Sequence, residues 1–187
     1  MALLPLFVRL SGRSVLVVGA GSVAERKLVE LLDAGARVVV VSPEATPAVA
    51  ELSSTGRVRW ERRGFAEEDA VGRYLIVSAT GDAAVQRAVF AAGEARSTFV
   101  LAIDDPDHGS AYGGAIVRRQ PFTIAISSAA EAPALSRLLR EIIEKILPED
   151  RWVQAARALR ARWKREGTPM GSRFEELVRS FRDEPEK

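Results

Sequence analysis

The chain contains no cysteine and one histidine, His108, in 187 residues. The first absence excludes disulfides, thiolate nucleophiles and thiolate metal sites together. The second leaves little for a hydrolase triad and no convergent ligand spacing for a resident metal. No stretch approaches 18 uninterrupted apolar residues, so no transmembrane helix is expected. Arg9 and Arg13 interrupt the apolar N-terminus and no basic region precedes it, which argues against a signal peptide. These features predict a cytoplasmic protein with no membrane partner. The phosphate-binding pattern G-x-x-x-x-G-K-[ST] and the nucleophile elbow G-x-S-x-G are both missing. Neither Tyr74 nor Tyr112 has a lysine four residues later, which removes the common short-chain reductase dyad.

What is present is a regular alternation. "SVLVVGA" (14–20), "ARVVVVS" (36–42), "YLIVSA" (74–79) and "TFVLAI" (98–103) are short β-branched runs of the kind that form buried parallel strands. Between them, "SVAERKLVELLDAG" (22–35) places Val23, Leu28, Leu31 and Leu32 at helical spacing, with Gly35 as a stop. "EATPAVAELSSTG" predicts a short helix closed by Gly56, "RVRWER" an edge strand, and "DAAVQRAVFAAGEA" a helix capped by Asp82. The reading is an α/β fold, a Rossmann-like doubly wound parallel sheet over residues 1–112. Residues 113–148 carry two strands, "GAIVRR" and "FTIAIS", and an amphipathic helix ending at Pro148 with Leu135, Leu138, Leu139, Ile142, Ile143 and Ile146 on one face. Residues 149–187 predict a helical tail with too little apolar surface to fold alone. Arg151, Arg157, Arg160, Arg162 and Lys164 make one part of that tail basic; a solvated helix face is favoured over nucleic acid, with a polyanionic small molecule as a third reading.

Ligands of such a sheet lie beyond the carboxyl ends of its strands. "VVGAGSVAERK" contains Gly19-Ala20-Gly21-Ser22-Val23-Ala24, a G-x-G-x-x-A between a strand and a helix. Gly19 allows the tight turn. Gly21 lets backbone approach a pyrophosphate, which the N–H groups from Ser22 and Val23 onward attract. Pro43 and Glu44 follow the second strand; Glu44, 23 positions after Gly21, is placed either to contact the ribose hydroxyls of NAD or to begin a helix. No arginine follows that strand to welcome a 2′-phosphate, so NAD is favoured over NADP. Thr80 and Asp104 also fall just past strand ends. A methyltransferase shares this layout but usually has a more glycine-rich first loop. "IDDPDHGS" is therefore either an Asx turn with solvated acids or a place where protons move.

Taken together, "PLFVRLSGRSVLVVGAGSVAERKLVELLDAGARVVVVSP", "VSATGDAAVQRAV", "IDDPDHGSAYGGAIVRR" and "FTIAISSAAEAPALSRLLREIIEKILP" resemble the precorrin-2 dehydrogenase/sirohydrochlorin ferrochelatase family, the dehydrogenase-chelatase module of siroheme synthase. The resemblance spans residues 4 to about 165. It implies oxidation of precorrin-2 by NAD and, in many members, insertion of ferrous iron, which enters as a substrate held by the tetrapyrrole nitrogens. It also implies a homodimer with 113–148 as the dimerisation segment, and a catalytic aspartate at Asp104. His108 becomes a candidate second proton carrier or transient iron ligand, against the plainer reading of a surface histidine. A substrate with eight carboxylates gives Arg118, Arg119, Arg137 and Ser128 candidate roles in binding it. The rival from another class is a non-catalytic NAD(H)-binding redox sensor, and a third reading is a Rossmann oxidoreductase for another tetrapyrrole. The chain departs from the family pattern at Leu101-Ala102, Ala111, Gly114 and Ser128-Ala129-Ala130, all on the tetrapyrrole side.

Overall fold

A computed structural model describes residues 3–147 and 150–182; Pro148, expected to end the long helix, lies outside the described residues. The chain divides into two compact units, Met1–Gly114 with Ser127–Pro133, and Ala115–Ile126 with Ala134–Lys187.

In the first unit five parallel strands stand in the order β3-β2-β1-β4-β5, with β1 Ser14–Val18, β2 Arg37–Val41, β3 Arg59–Glu61, β4 Leu75–Ser78 and β5 Phe99–Ala102. The order reverses between β1 and β4, which opens a crevice at their carboxyl ends. This is the Rossmann-like doubly wound fold. Strand β1 explains why the runs are apolar at every position. Its Val15 and Val17 join a cluster with Ala24, Leu28 and Leu31 of α1 (Ser22–Asp33) and Val49 of α2 (Pro47–Ser54). Its Leu16 and Val18 join a second cluster with Val89 and Ala92 of α3 (Ala83–Glu94). A strand covered on both faces has no side to leave polar. Helix α3 packs closely on β5 because Gly93 has no side chain: a Cβ there would stand 2.2 Å from Val100 Cγ2.

Local signals set the helix ends. Asp82 Oδ1 accepts the N–H groups of Ala84 (2.8 Å) and Val85 (3.1 Å), the expected cap of α3. Gly35, at φ +77°, ends α1 in the left-handed turn that glycine favours. Helix α2 starts at Pro47 with Thr46 as its cap, so Glu44 is not its first residue. Two short 3₁₀ turns, Glu67–Ala70 and Pro106–His108, are too brief to leave a periodic pattern in the sequence.

The connection from β3 to β4 is held by one buried carboxylate. Arg63 grips Asp69 through both oxygens, at 2.8 and 2.6 Å, and the Ala66 N–H adds a bond at 2.9 Å. The Arg63 hydrogen bonds hold the Asp69 carboxyl below its usual range; burial opposes this and the Ala66 bond reinforces it.

In the second unit β6 (Ala115–Arg119) pairs antiparallel with β7 (Phe122–Ile126). Helix α4 (Pro133–Ile146) leaves its apolar face bare: Leu138 is 51% exposed and Ile146 72%. Helices α5 (Asp150–Glu166) and α6 (Met170–Arg182) meet at Trp163, whose indole N–H donates to Glu176, while Arg162 forms an ion pair with the same glutamate. Part of the basic charge of α5 is thus neutralised within the tail. Among the described residues no helix is long and apolar enough to cross a membrane.

Because the folded carboxyl of Asp69 titrates lower than the unfolded one, its contribution is complete above about pH 4 and is lost as pH falls through the folded value. Asp69→Asn should therefore lower the urea midpoint at pH 7, and its gap from the wild type should narrow in unfolding curves taken below about pH 4.

Candidate active site

The glycine turn is tied to its neighbours by main-chain bonds. Gly19 N–H donates to Val41 C=O at 2.9 Å, and Thr46 N–H to Ala20 C=O at 3.1 Å, so the β2–α2 loop lies against the turn. Ala79 N–H donates to Val18 C=O at 2.8 Å. Gly19 sits at φ +99°, and a Cβ on it would come 2.3 Å from the Ala79 carbonyl oxygen. Only glycine allows that approach. Gly21 is different: its φ of −83° suits any residue, and a Cβ on it would meet nothing within 4 Å. It is bare backbone facing open space. Gly21 caps α1 with no side-chain bond, leaving the first N–H groups of a 12-residue helix, those of Ser22 and Val23, without a side-chain partner beside that space. Ala24 is fully buried against the sheet.

Glu44 and Pro43 are exposed in the loop that Thr46 pins to the turn. Glu44 has no capping role in α2, which Thr46 caps. Thr80 follows β4; its Oγ1 accepts Asp82 N–H at 3.2 Å and its carbonyl accepts from Gln86 at 2.9 Å. A cradle of backbone N–H groups, a bare glycine and an acid after β2 fits a dinucleotide.

Asp104 lies two residues beyond β5, which neighbours β4. It is exposed and adopts φ +60°, a conformation aspartate tolerates better than most residues. Among the described residues its carboxylate has no hydrogen-bond or ion-pair partner. Asp105, one residue on, is committed: its Oδ2 lies 2.8 Å from His108 Nδ1. The His108 ring also meets the Phe90 ring edge-on, with centroids 6.0 Å apart. His108 therefore braces the 3₁₀ turn. Behind it the chain doubles back, with Ser110 and Ala111 N–H groups both donating to Val100 C=O at 2.9 Å.

The residues predicted for substrate carboxylates are less uniform. Arg119 donates to the Leu147 carbonyl at 3.2 Å, and Arg137 pairs with Glu141 at 3.1 Å. Arg118 is exposed on β6 with no such partner among the described residues. Ser128 belongs to the first unit, where its Oγ accepts Ala132 N–H at 3.0 Å. Among the described residues, no group of three or more His, Asp or Glu side chains is arranged to hold a metal ion.

A groove of about 720 Å³ opens elsewhere in the first unit, lined by Ser14, Arg37, Ser53, Gly56, Arg57 and Arg59. Ser14, Arg37 and Arg59 begin their strands, so this is the amino end of the sheet. Arg37 there donates to Gly12 C=O and Arg59 pairs with Glu61. Ser53 and Gly56 bring the carboxyl end of α2, whose dipole disfavours phosphate. The uncapped amides of α1 lie at the opposite end.

A family model described as putative NAD(P)-binding matches residues 6–115. Siroheme synthase 3 of Aeromonas hydrophila is 42% identical over 175 residues, 92% of this chain and 37% of that protein. Siroheme synthase 1 of Cronobacter sakazakii is 47% identical over 150 residues, 79% of this chain and 31% of that one. The solved structure of SirC, precorrin-2 dehydrogenase, superposes with a TM-score of 0.76 at 27% identity, covering 95% of this chain and 88% of that one. The chain belongs to the precorrin-2 dehydrogenase/sirohydrochlorin ferrochelatase family. It spans about a third of the length of the curated siroheme synthases it matches.

One departure from the family pattern has a structural counterpart. In Ser128-Ala129-Ala130, one of those departures, the two alanines stand at φ +51° and +67°. The backbone keeps the left-handed shape that two glycines would favour, at a cost of roughly 1–2 kcal/mol per alanine.

The two turn glycines should separate folding from binding. Gly19→Ala should destabilise the protein by on the order of 3 kcal/mol in urea unfolding, from overlap and left-handed strain together. Gly21→Ala should leave stability within about 0.5 kcal/mol yet weaken NADH binding tenfold or more, about 1.4 kcal/mol, in a fluorescence titration.

Proposed function

We propose that the chain catalyses the NAD-dependent oxidation of precorrin-2 to sirohydrochlorin. The observation that carries this is the uncommitted Asp104 carboxylate beyond β5, in the row of strand ends that also presents Gly19 and Thr80. When bound, NAD supplies the hydride acceptor. The protein's own part is to hold the pyrophosphate on the amides from Gly21 to Val23, to hold the adenosine ribose at Pro43 and Glu44, and to pass Thr80 alongside. Loss of a hydride from the macrocycle must be matched by loss of a proton, and the Asp104 carboxylate is the base that takes it. In a second step, with ferrous iron as substrate, the same carboxylate would accept the protons that metal displaces from the pyrrole nitrogens. Arg118 is the foremost candidate for a substrate carboxylate, because Arg119 and Arg137 already have partners. Ser128 has a free lone pair for the same purpose.

We also propose that the protein works as a homodimer in the cytoplasm. The apolar face of α4, with Leu135, Leu138, Leu139 and Ile142 each at least 40% exposed, is more than a single chain leaves to water without reason.

Anaerobic incubation with precorrin-2 and NAD, followed by absorbance, tests the reading. The wild type should yield the sirohydrochlorin chromophore and NADH in equal amounts. Asp104→Ala should lower that rate by roughly 10²–10⁴-fold while NAD affinity stays within about threefold, roughly 0.7 kcal/mol. A wild-type chain that binds NADH and leaves precorrin-2 unoxidised is a dinucleotide sensor instead, and an active Asp104→Ala variant places the base elsewhere.

A further inference from the structure

The sequence has no arginine in the β2–α2 loop, yet the fold delivers one there by another route. Strand β3 runs parallel to β2 at the sheet edge, with Val41 opposite Glu61. Ser42 N–H donates to Glu61 C=O at 3.2 Å, so the pairing continues past the end of β2. The next residue is Arg62, where the chain turns, Arg63 N–H donating back to the same Glu61 C=O at 2.9 Å. The Arg62 side chain is held there: the guanidinium carbon lies 4.4 Å from the centroid of the Trp60 ring. That ring is itself fixed, because its indole N–H donates to the Ser42 carbonyl at 3.0 Å.

The neighbouring arginines are spoken for and Arg62 is not. Arg59 pairs with Glu61 at 2.6 Å, and Arg63 forms its two-pronged pair with Asp69. Among the described residues no carboxylate pairs with Arg62, although it is exposed. An ordered guanidinium without a counter-charge, next to the loop that receives the adenosine ribose, is what a 2′-phosphate needs. Arginine is suited to it because its planar fork can donate two hydrogen bonds to one phosphate. Glu44, on the same loop, suits the free 2′-hydroxyl instead. The edge thus carries one group for each form of the cofactor.

We propose that Arg62, together with the Ser42 hydroxyl, forms a 2′-phosphate subsite, so that the protein takes NADP as well as NAD. The inference rests on the dinucleotide reading of the crevice and deepens it.

Titration of the full chain with NADH and with NADPH, followed by nucleotide fluorescence, tests this in the absence of any turnover. Wild-type affinity for NADPH should lie within about tenfold of that for NADH. Arg62→Ala should lower the NADPH:NADH affinity ratio at least tenfold, and Arg62→Lys should restore part of it. Glu44→Gln should move the same ratio the other way. Circular dichroism melts of each variant show whether the fold is intact, and a role for Arg62 in folding alone would weaken both nucleotides together. If NADH binds but NADPH does not, or if the ratio is unmoved in Arg62→Ala, the phosphate subsite is overturned while the dehydrogenase reading stands. If neither nucleotide binds, both fall.

Discussion

The site depends on one close approach of backbone to backbone. Where β1 turns into α1, Gly19 passes so near the Ala79 carbonyl that no side chain fits between them. That contact brings the first residues of α1 over the gap where the sheet order reverses. The main-chain bonds from Gly19 to Val41 and from Thr46 to Ala20 then pull the second loop into the same place. Three loops, after β1, β2 and β4, are thereby set by hydrogen bonds that any sequence could make, and by one residue that must be glycine.

Electrostatics favours one end of the sheet for a pyrophosphate over the other. The groove at the amino end has three arginines but also the carboxyl end of α2, and two of its arginines are engaged. The crevice at the carboxyl end offers instead uncapped amides at the start of α1, fixed in direction by the helix. Preorganised dipoles of this kind bind a pyrophosphate without having to be gathered first. The acids are sorted in the same way: Asp105 is spent on His108, Asp69 on Arg63, and Asp104 is left with its charge available.

Local chemistry was legible in the sequence wherever one short segment determines the outcome. The all-apolar strands, the Asp82 cap, the Gly35 stop and the G-x-G-x-x-A turn each follow from a few adjacent residues. What could not be read depends on which strands become neighbours. Arg62 is 20 residues from Ser42 in the chain and comes near it only because β3 pairs with β2 and Trp60 bridges them. The role of His108 was hidden for a related reason: a three-residue 3₁₀ turn, too short to leave a periodic signal, folds the imidazole back on Asp105. Glu44 was ambiguous because acids favour both helix starts and ribose hydroxyls; Thr46 and Pro47 took the helix start. The left-handed turn at Ala129 and Ala130 runs against residue preference, so nothing in the local sequence announces it.

The most direct test of the central claim is an amide-resolved NMR titration of the isotope-labelled protein with NAD. The account predicts that the backbone N–H signals of Gly21, Ser22, Val23 and Thr80 move together and saturate with one bound nucleotide. Signals that stay still at those residues while Arg57 and Arg59 at the opposite end respond would contradict it.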